Sequence, residues 1–162
     1  MFRYYFLKKI LISVIFGGFF FKAAFAENNL VIEVAGEASG IIEISLLPDL
    51  APLHVERIKA LAYDGSYDGV VFHRVIDGFM AQTGDVEFGN SSNDAFNMSR
   101  AGTGGSSLPN IEAEFSDVNH GRGAVSMARA QDPNSANSQF FICFQPAPFL
   151  AVSYTHLRAH ET

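Results

Sequence analysis

Long hydrogen-bonding side chains stand inside two strongly apolar stretches of this sequence, and they are the first candidates for chemistry. The stretch 71–85, VFHRVIDGFMAQTGD, carries Arg74 and Gln82 among strand-forming and aromatic residues. The stretch 138–143, SQFFIC, carries Gln139 beside two phenylalanines. Because each polar group adjoins aromatic residues, the pattern predicts an apolar pocket with a polar rim that donates and accepts hydrogen bonds.

Several other chemistries lack the residues they need. The single cysteine, Cys143, lies in an apolar run and is predicted to be a buried thiol, and the five histidines are scattered without metal-ligand spacing. The run GTGG at 102–105 is not followed by the Lys-Ser/Thr pair that a phosphate-binding loop requires. We therefore expect neither a metal site nor a cofactor.

Four blocks of this sequence resemble, in order, the signature blocks of the cyclophilins, which are peptidyl-prolyl cis-trans isomerases. The blocks are FHRVIDGFMAQTGD at 72–85, GTGG at 102–105, SMARA at 126–130 and NSQFFI at 137–142. Long blocks in a fixed order are far more specific than one short motif. The resemblance covers residues 29–150 and implies an enzyme that accelerates rotation about X–Pro bonds in polypeptides.

The resemblance also implies which residues are catalytic. Rotation about a peptide bond has a barrier of about 18–20 kcal/mol, and a catalyst lowers it by binding the twisted amide more tightly than the planar forms. The nitrogen of a twisted prolyl amide accepts a hydrogen bond, and Arg74 matches the arginine that donates it. Gln82 matches the group that orients this arginine and the substrate carbonyl. Because no proton is transferred, His73 is predicted to be a packed or rim histidine.

Eight further residues match the family's substrate-binding positions. The apolar members resemble the slot for the proline ring, the two alanines the edge along which the peptide lies as an added strand, and the glutamine an adjoining pocket. The phenylalanine at 149 stands where many eukaryotic relatives carry a tryptophan that influences cyclosporin binding, so tight inhibition by cyclosporin is not implied. These residues are Phe79, Met80, Ala128, Ala130, Gln139, Phe141, Phe149 and Leu150.

Taken singly, each of these residues has an ordinary structural interpretation. A lone arginine in a strand is usually solvated or ion-paired, and apolar side chains in strands are usually core. The joint match to the blocks favours the enzyme. Two other functions stay open: a peptide-binding or chaperone module on the same fold without turnover, and a small-ligand barrel.

The elements that position these residues are mostly short strands. Apolar runs bounded by turn residues predict strands over 30–34, 41–46, 70–75, 123–128 and 139–144. Pro52, followed by apolar residues at helical spacing, predicts a helix over 52–63. The Asn-, Ser- and Gly-rich residues 86–101 are predicted to form a loop, longer than in most cyclophilins. The pattern predicts a mainly β fold, and the resemblance makes it an antiparallel eight-stranded barrel capped by helices.

Residues 1–26 have the layout of a secretory signal peptide. Basic residues precede a 12-residue apolar run at 10–21, and Ala24-Phe25-Ala26 forms a cleavage signal, so we predict cleavage after Ala26. The apolar run is shorter than the roughly 20 residues of a membrane span, although an uncleaved anchor remains the alternative. We expect a monomer in the periplasm or secreted, without a stable membrane span after cleavage.

The charge balance limits the classes of partner that this protein is expected to bind. The leader holds four of the eleven basic residues and no acidic one, which leaves seven basic against seventeen acidic residues, a net charge of −10. Such a surface disfavours nucleic acid and anionic membranes. The expected partners are proline-containing polypeptides, such as unfolded or exported proteins.

The segment 151–162, AVSYTHLRAHET, resembles no element of the family. The resemblance thus implies that the isomerase domain, residues 27–150, lacks the last strands and the C-terminal helix, and that the histidine or tyrosine which follows in the family's pocket is missing. We expect unpaired strand edges and low stability for the chain as written.

Overall fold

The computed structural model describes residues 3–5 as backbone, and residues 28–94, 96–150, 154, 155 and 157. Most of the predicted signal peptide and most of the segment 151–162 lie outside these described residues. The described part confirms a mainly β fold with one α-helix.

The described strands form two antiparallel sheets. The first has the order β1-β2-β3 and the second the order β4-β5-β7-β6. Strand β1 belongs to the segment that the sequence predicts to be a signal peptide, and it pairs with β2. The strands are β1 Arg3–Tyr5, β2 Asn29–Val34, β3 Gly40–Ser45, β4 Arg74–Ile76, β5 Met80–Thr83, β6 Val125–Met127 and β7 Phe140–Cys143.

The main hydrophobic core lies between the two sheets and the helix α1, Pro52–Tyr63, whose bounds are those predicted. Both sheets and the helix contribute the side chains of one face to this core, at the spacing of their element. The principal members are Leu30, Ile32 and Ile44 from the first sheet, Val55, Ile58 and Leu61 from α1, and Val125, Met127, Phe140 and Ile142 from the second sheet.

A carboxylate from a distant loop caps the start of α1. Ala51 at the N-cap has no side chain that could accept a hydrogen bond, but Glu114 accepts from the backbone N–H groups of Leu53 and His54, both at 3.1 Å. Glu114 also accepts from Nδ1 of the fully buried His54 at 2.5 Å. Because a negative charge at a helix N-terminus is favourable, Glu114 both satisfies free N–H groups and interacts well with the helix dipole.

The predicted strand 70–75 is wrong over most of its length. Val70 forms only an isolated bridge with Asn90, and the N–H of Val71 donates to the Gly89 carbonyl at 2.9 Å. These valines pair with the start of the 86–101 loop, which folds back beside them, and β4 begins only at Arg74. The predicted loop character of 86–101 is confirmed, since the described residues there form turns and isolated contacts.

Two residues beyond the predicted domain limit at 150 pack against β6. The N–H of Met127 donates to the Thr155 carbonyl at 3.2 Å, and the N–H of Leu157 donates to the Val125 carbonyl at 2.5 Å. Leu157 is buried in the main core. The sequence led us to expect unpaired strand edges, but at this place the edge of β6 is covered.

Cys143 is buried at the end of β7. Burial raises the pKa of its thiol to about 11, because the thiolate would lose its hydration there. The thiol is thus protonated and inert at neutral pH, as predicted. Within the described part of the chain, no helix has both the length and the apolar character needed to cross a bilayer.

We expect the folded protein to lose stability as the pH falls below about 6.5. Burial lowers the pKa of His54, His73 and His120 from the ordinary value of 6.5. The unfolded chain then binds more protons than the folded one, so the free energy of unfolding decreases through this range as pH decreases. Urea unfolding at about pH 7.5, 6.5 and 5.5 measures it, in a range above most carboxyl titration. A midpoint that stays constant or rises toward the lowest pH would contradict this prediction.

Candidate active site

In-register pairing across the second sheet places the two predicted catalytic residues in one row. Arg74 on β4 is paired with Gln82 on β5, Gln82 with Phe141 on β7, and Phe141 with Ser126 on β6. Directly paired residues point to the same face, with Cβ atoms about 4.5–5.5 Å apart. The row therefore runs from an exposed guanidinium, through an amide, to an aromatic ring and a buried hydroxyl.

The two faces of this sheet belong to different apolar clusters. Phe140 and Ile142 face the main core, whereas Phe141 and Cys143, which alternate with them, face a second cluster. The row that contains Arg74 lies on the face of this second cluster. Its buried members are Met80, Ala124, Phe141, Cys143, Ala147 and Leu150, with Phe79, Ala128 and Tyr154 packed against it.

The structure brings together the apolar residues predicted to hold a proline ring. Met80, Phe141 and Leu150 are buried in the second cluster, and Phe79 is half-buried at its margin. The ring of Phe149 is 69% exposed, and its centroid lies 5.9 Å from that of Phe79. The result is an apolar floor with an open aromatic rim, which suits a small apolar ring that must enter and leave.

A chain of side-chain amides holds Arg74 beside this floor. Nη1 of Arg74 donates to Oε1 of Gln82 at 3.3 Å, and Nε2 of Gln82 donates to Oε1 of Gln139 at 2.9 Å. Nε2 of Gln139 donates in turn to the carbonyls of Gly102 at 3.0 Å and Gly104 at 2.8 Å. Because a guanidinium has five N–H donors, one bond to Gln82 orients it and leaves further donors for a ligand.

A buried carboxylate, which the sequence did not single out, fixes the far end of this chain. Oδ1 of Asp85 accepts from the N–H groups of Glu87 at 3.1 Å and Phe88 at 2.9 Å. Its Oδ2 accepts from those of Gly102 at 2.7 Å and Gly104 at 3.0 Å. Four N–H donors compensate the burial of this charge and tie both ends of the 86–101 loop together. The only sequence signal is the tendency of aspartate to bond backbone N–H groups two residues on.

Gly102 and His73 are in close contact beside Arg74. A Cβ atom at Gly102 would lie 2.6 Å from Cδ2 of His73, and Gly102 has a φ of +97°. Both the contact and the left-handed backbone require glycine at this position. His73 thus packs against the glycine whose carbonyl accepts from Gln139. This contact agrees with a packing role for His73 and not with a role in proton transfer.

The two alanines predicted to form a peptide-binding edge already use their N–H groups. That of Ala128 donates to the Gln139 carbonyl at 2.8 Å, and that of Ala130 donates to Oγ of Ser135 at 2.8 Å. A peptide lying along this segment therefore pairs with neither N–H group. The two residues nonetheless line the cavity beside Gln139.

This cavity has a volume of about 480 Å³ and is bounded by Gln82, Gln139, and the segments 102–106 and 128–130. It carries two charged side chains, Glu87 and Arg129, that the sequence did not indicate as site residues. Within the described residues, no group of three or more His, Cys, Asp or Glu side chains is arranged to hold a metal ion.

The segment after Leu150 adds an aromatic residue to the site. The ring of Tyr154 meets that of Phe141 edge-to-face, with centroids 5.6 Å apart and planes at 86°. The guanidinium carbon of Arg129 lies 4.9 Å from the Tyr154 centroid, in cation–π contact. The expectation that no tyrosine follows in the pocket is therefore wrong, and no local pattern in the sequence could have revealed this contact.

We expect Asp85→Asn to loosen the loop that supports Gln139. The amide would turn an NH₂ group toward two of the four N–H donors, which then lose an acceptor. Hydrogen exchange should become at least about fivefold faster for one of the two pairs of amides, those that donate to Oδ1 or those that donate to Oδ2, since losing one such bond costs about 1–3 kcal/mol. The matched control is Asp117→Asn, an exposed aspartate. Unchanged protection of all four amides in Asp85→Asn would show that the carboxylate does not hold this loop.

Comparisons with known proteins agree with this geometry. The family model for cyclophilin type peptidyl-prolyl cis-trans isomerases matches residues 30–157, and so extends beyond the predicted limit at 150. Probable peptidyl-prolyl cis-trans isomerases of Brucella suis and Brucella abortus are 54% and 53% identical over 134 residues, covering 83% of this chain and 66% of each relative. The chain thus spans about two thirds of the length of these relatives.

Solved structures show the same fold. A cyclophilin from Hirschia baltica has a TM-score of 0.65 at 27% identity, covering 83% of this chain and 64% of that one. A cyclophilin type peptidyl-prolyl cis-trans isomerase from Cryptosporidium parvum, crystallised in the presence of the dipeptide Ala-Pro, has a TM-score of 0.63 at 28% identity, covering 76% and 74%. The chain belongs to the cyclophilin type peptidyl-prolyl cis-trans isomerase family.

Proposed function

We propose that this chain accelerates cis-trans rotation about X–Pro bonds in polypeptides by stabilising the twisted amide without covalent chemistry. The observation that carries the proposal is the position of Arg74. Its guanidinium is held by Gln82 at the margin of the apolar floor formed by Met80 and Phe141. A hydrogen-bond donor beside an apolar slot is the arrangement that this reaction requires.

The gain in rate comes from a difference between the planar and the twisted amide. In the planar forms the nitrogen lone pair is delocalised into the carbonyl, which gives the barrier of about 18–20 kcal/mol. At the twisted geometry the lone pair is localised and accepts a hydrogen bond from an Arg74 N–H group. Because this bond forms only near the transition state, it lowers the barrier without tightening the binding of either isomer.

The remaining residues of the site supply position and orientation. The proline ring is held by Met80, Phe141 and Leu150. Because the ring stays fixed, the acyl group that precedes it rotates about the prolyl C–N bond. Gln82 keeps the guanidinium in place before the reaction, so little reorganisation is needed when the lone pair appears. The Cryptosporidium parvum isomerase was crystallised in the presence of Ala-Pro, which supports prolyl peptides as the ligand class.

We expect Arg74→Ala to lower kcat/KM for a prolyl peptide by a factor of about 10²–10³, the loss typical of removing one preorganised donor from a transition state. Arg74→Lys should recover only part of the lost kcat/KM. An ammonium lacks the planar set of N–H donors with which a guanidinium can bond Gln82 and the substrate at the same time. A coupled proline-peptide isomerisation assay measures both. The matched control is Arg122→Ala, an exposed arginine that donates to the Phe144 carbonyl.

Two results would contradict this function in different ways. Equal rates for wild type and Arg74→Ala would remove the guanidinium from the mechanism. Peptide binding by the wild type with no acceleration at all would instead favour a peptide-binding or chaperone module on the same fold.

We further propose that the protein is exported and assists the folding of exported proteins in the periplasm or outside the cell. The support is the order of the N-terminal segment: Arg3, Lys8 and Lys9, then the apolar run 10–21, then Ala24-Phe25-Ala26. Cleavage after Ala26 would also remove β1 from the edge of β2. The net charge of −10 that remains favours a dissolved monomer.

Expression of the full chain in a bacterial cell should give a periplasmic product that begins at Glu27. Intact mass and N-terminal sequencing of the periplasmic fraction measure this. The paired variant Ala24→Leu with Ala26→Leu should remain uncleaved, because the cleavage signal needs small residues at both positions. An uncut wild-type chain in the cytoplasmic or membrane fraction would contradict the proposal.

A further inference from the structure

The cavity beside Gln82 and Gln139 contains two charged side chains, and they differ in how far they are already engaged. Nη1 of Arg129 donates to the carbonyls of Ala130 at 2.9 Å and Gln131 at 3.2 Å, and its guanidinium stacks on Tyr154. Glu87 is exposed, and its carboxylate makes no hydrogen bond or ion pair with any residue that the structure describes. The negative charge of Glu87 is thus available to a ligand in the cavity, whereas the positive charge of Arg129 is already engaged by carbonyls and by Tyr154.

Glu87 is held close to the amide chain that supports Arg74. Its N–H donates to Asp85, and its Oε2 lies 2.8 Å from the place where a Cβ of Gly104 would be. The Gly104 carbonyl is the one that accepts from Gln139 at 2.8 Å. The carboxylate can therefore lie against the backbone of the cavity wall only because residue 104 has no side chain.

The cavity adjoins the slot proposed for the proline ring. Ala128 packs against the second apolar cluster and also lines the cavity, and Gln82 lies in the row with Phe141 and also lines it. In an extended peptide, side chains two residues apart point to the same side, about 6.6–6.8 Å from each other. With a proline on the apolar cluster, a side chain two residues away faces the cavity.

We propose that Glu87 gives this site a preference for substrates that carry lysine or arginine two residues from the proline. The inference rests on the proposed isomerase function and adds a substrate class to it. The cavity volume of about 480 Å³ accommodates a long side chain, whose apolar stem passes Ala128 and whose charged end meets the carboxylate. An acidic side chain would instead meet Glu87 while Arg129 is engaged elsewhere.

The test compares three peptides that differ only at that position, with lysine, glutamine or glutamate, in one set two residues before the proline and in another two residues after it. In one of the two sets, the wild type should turn over the lysine peptide with a kcat/KM about three- to fivefold above that of the glutamine peptide, the upper part of the range for an exposed ion pair. The glutamate peptide should be the poorest. About 0.5 M salt should reduce these ratios toward one, because it screens exposed charges.

Two variants assign the effect to one carboxylate. Glu87→Gln should bring the lysine-to-glutamine ratio close to one. Glu37→Gln, which removes the same charge from the exposed turn between β2 and β3, should keep the wild-type ratio.

Each other outcome overturns the inference. Equal rates for the three peptides in both sets, or a preference for glutamate through Arg129, would refute the role of Glu87 while leaving the isomerase function in place. A lysine preference that persists in Glu87→Gln would place its source elsewhere. If the wild type accelerates not even the glutamine peptide, the proposed function fails, and the inference fails with it.

Discussion

The pairing of Gln82 with Arg74 on one side and with Phe141 on the other is the constraint on which the rest of the site depends. Side chains in a strand alternate between faces, so a shift of one residue in this register would turn the guanidinium away from the apolar cluster. The same alternation directs Phe140 into the main core while Phe141 faces the site. The stability of the core thereby fixes the position of the site residues.

A chain of hydrogen bonds connects the segments flanking the loop 86–101 to the residues of the sheet. Asp85 draws the N–H groups of Gly102 and Gly104 together, their carbonyls hold Gln139, and Gln139 holds Gln82. Buried hydrogen-bond networks are stable only when each member is satisfied, and here each amide has a donor and an acceptor role. The segments at the two ends of the loop 86–101, joined by Asp85, therefore set the environment of the catalytic row.

Local patterns in the sequence predict the elements that depend on local interactions. The helix Pro52–Tyr63 agrees with its prediction because Pro52 and the apolar spacing act within the helix itself. The predicted strand start at Val70 is wrong because the N–H of Val71 bonds to the Gly89 carbonyl, a partner that the hydrophobic pattern does not indicate. For the same reason the structure, and not the sequence, revealed Tyr154 on Phe141 and the four bonds of Asp85. The family resemblance supplied the roles of Arg74 and Gln82, and the register explains why these two residues meet.

A crystal structure with a bound Ala-Pro peptide tests the central claim most directly, namely that a guanidinium beside an apolar floor acts on the prolyl nitrogen. The account predicts that the proline ring lies on Met80 and Phe141 and that an N–H group of Arg74 points to the nitrogen side of the ring. A ring seated elsewhere, or a guanidinium directed away from the prolyl amide, would contradict it.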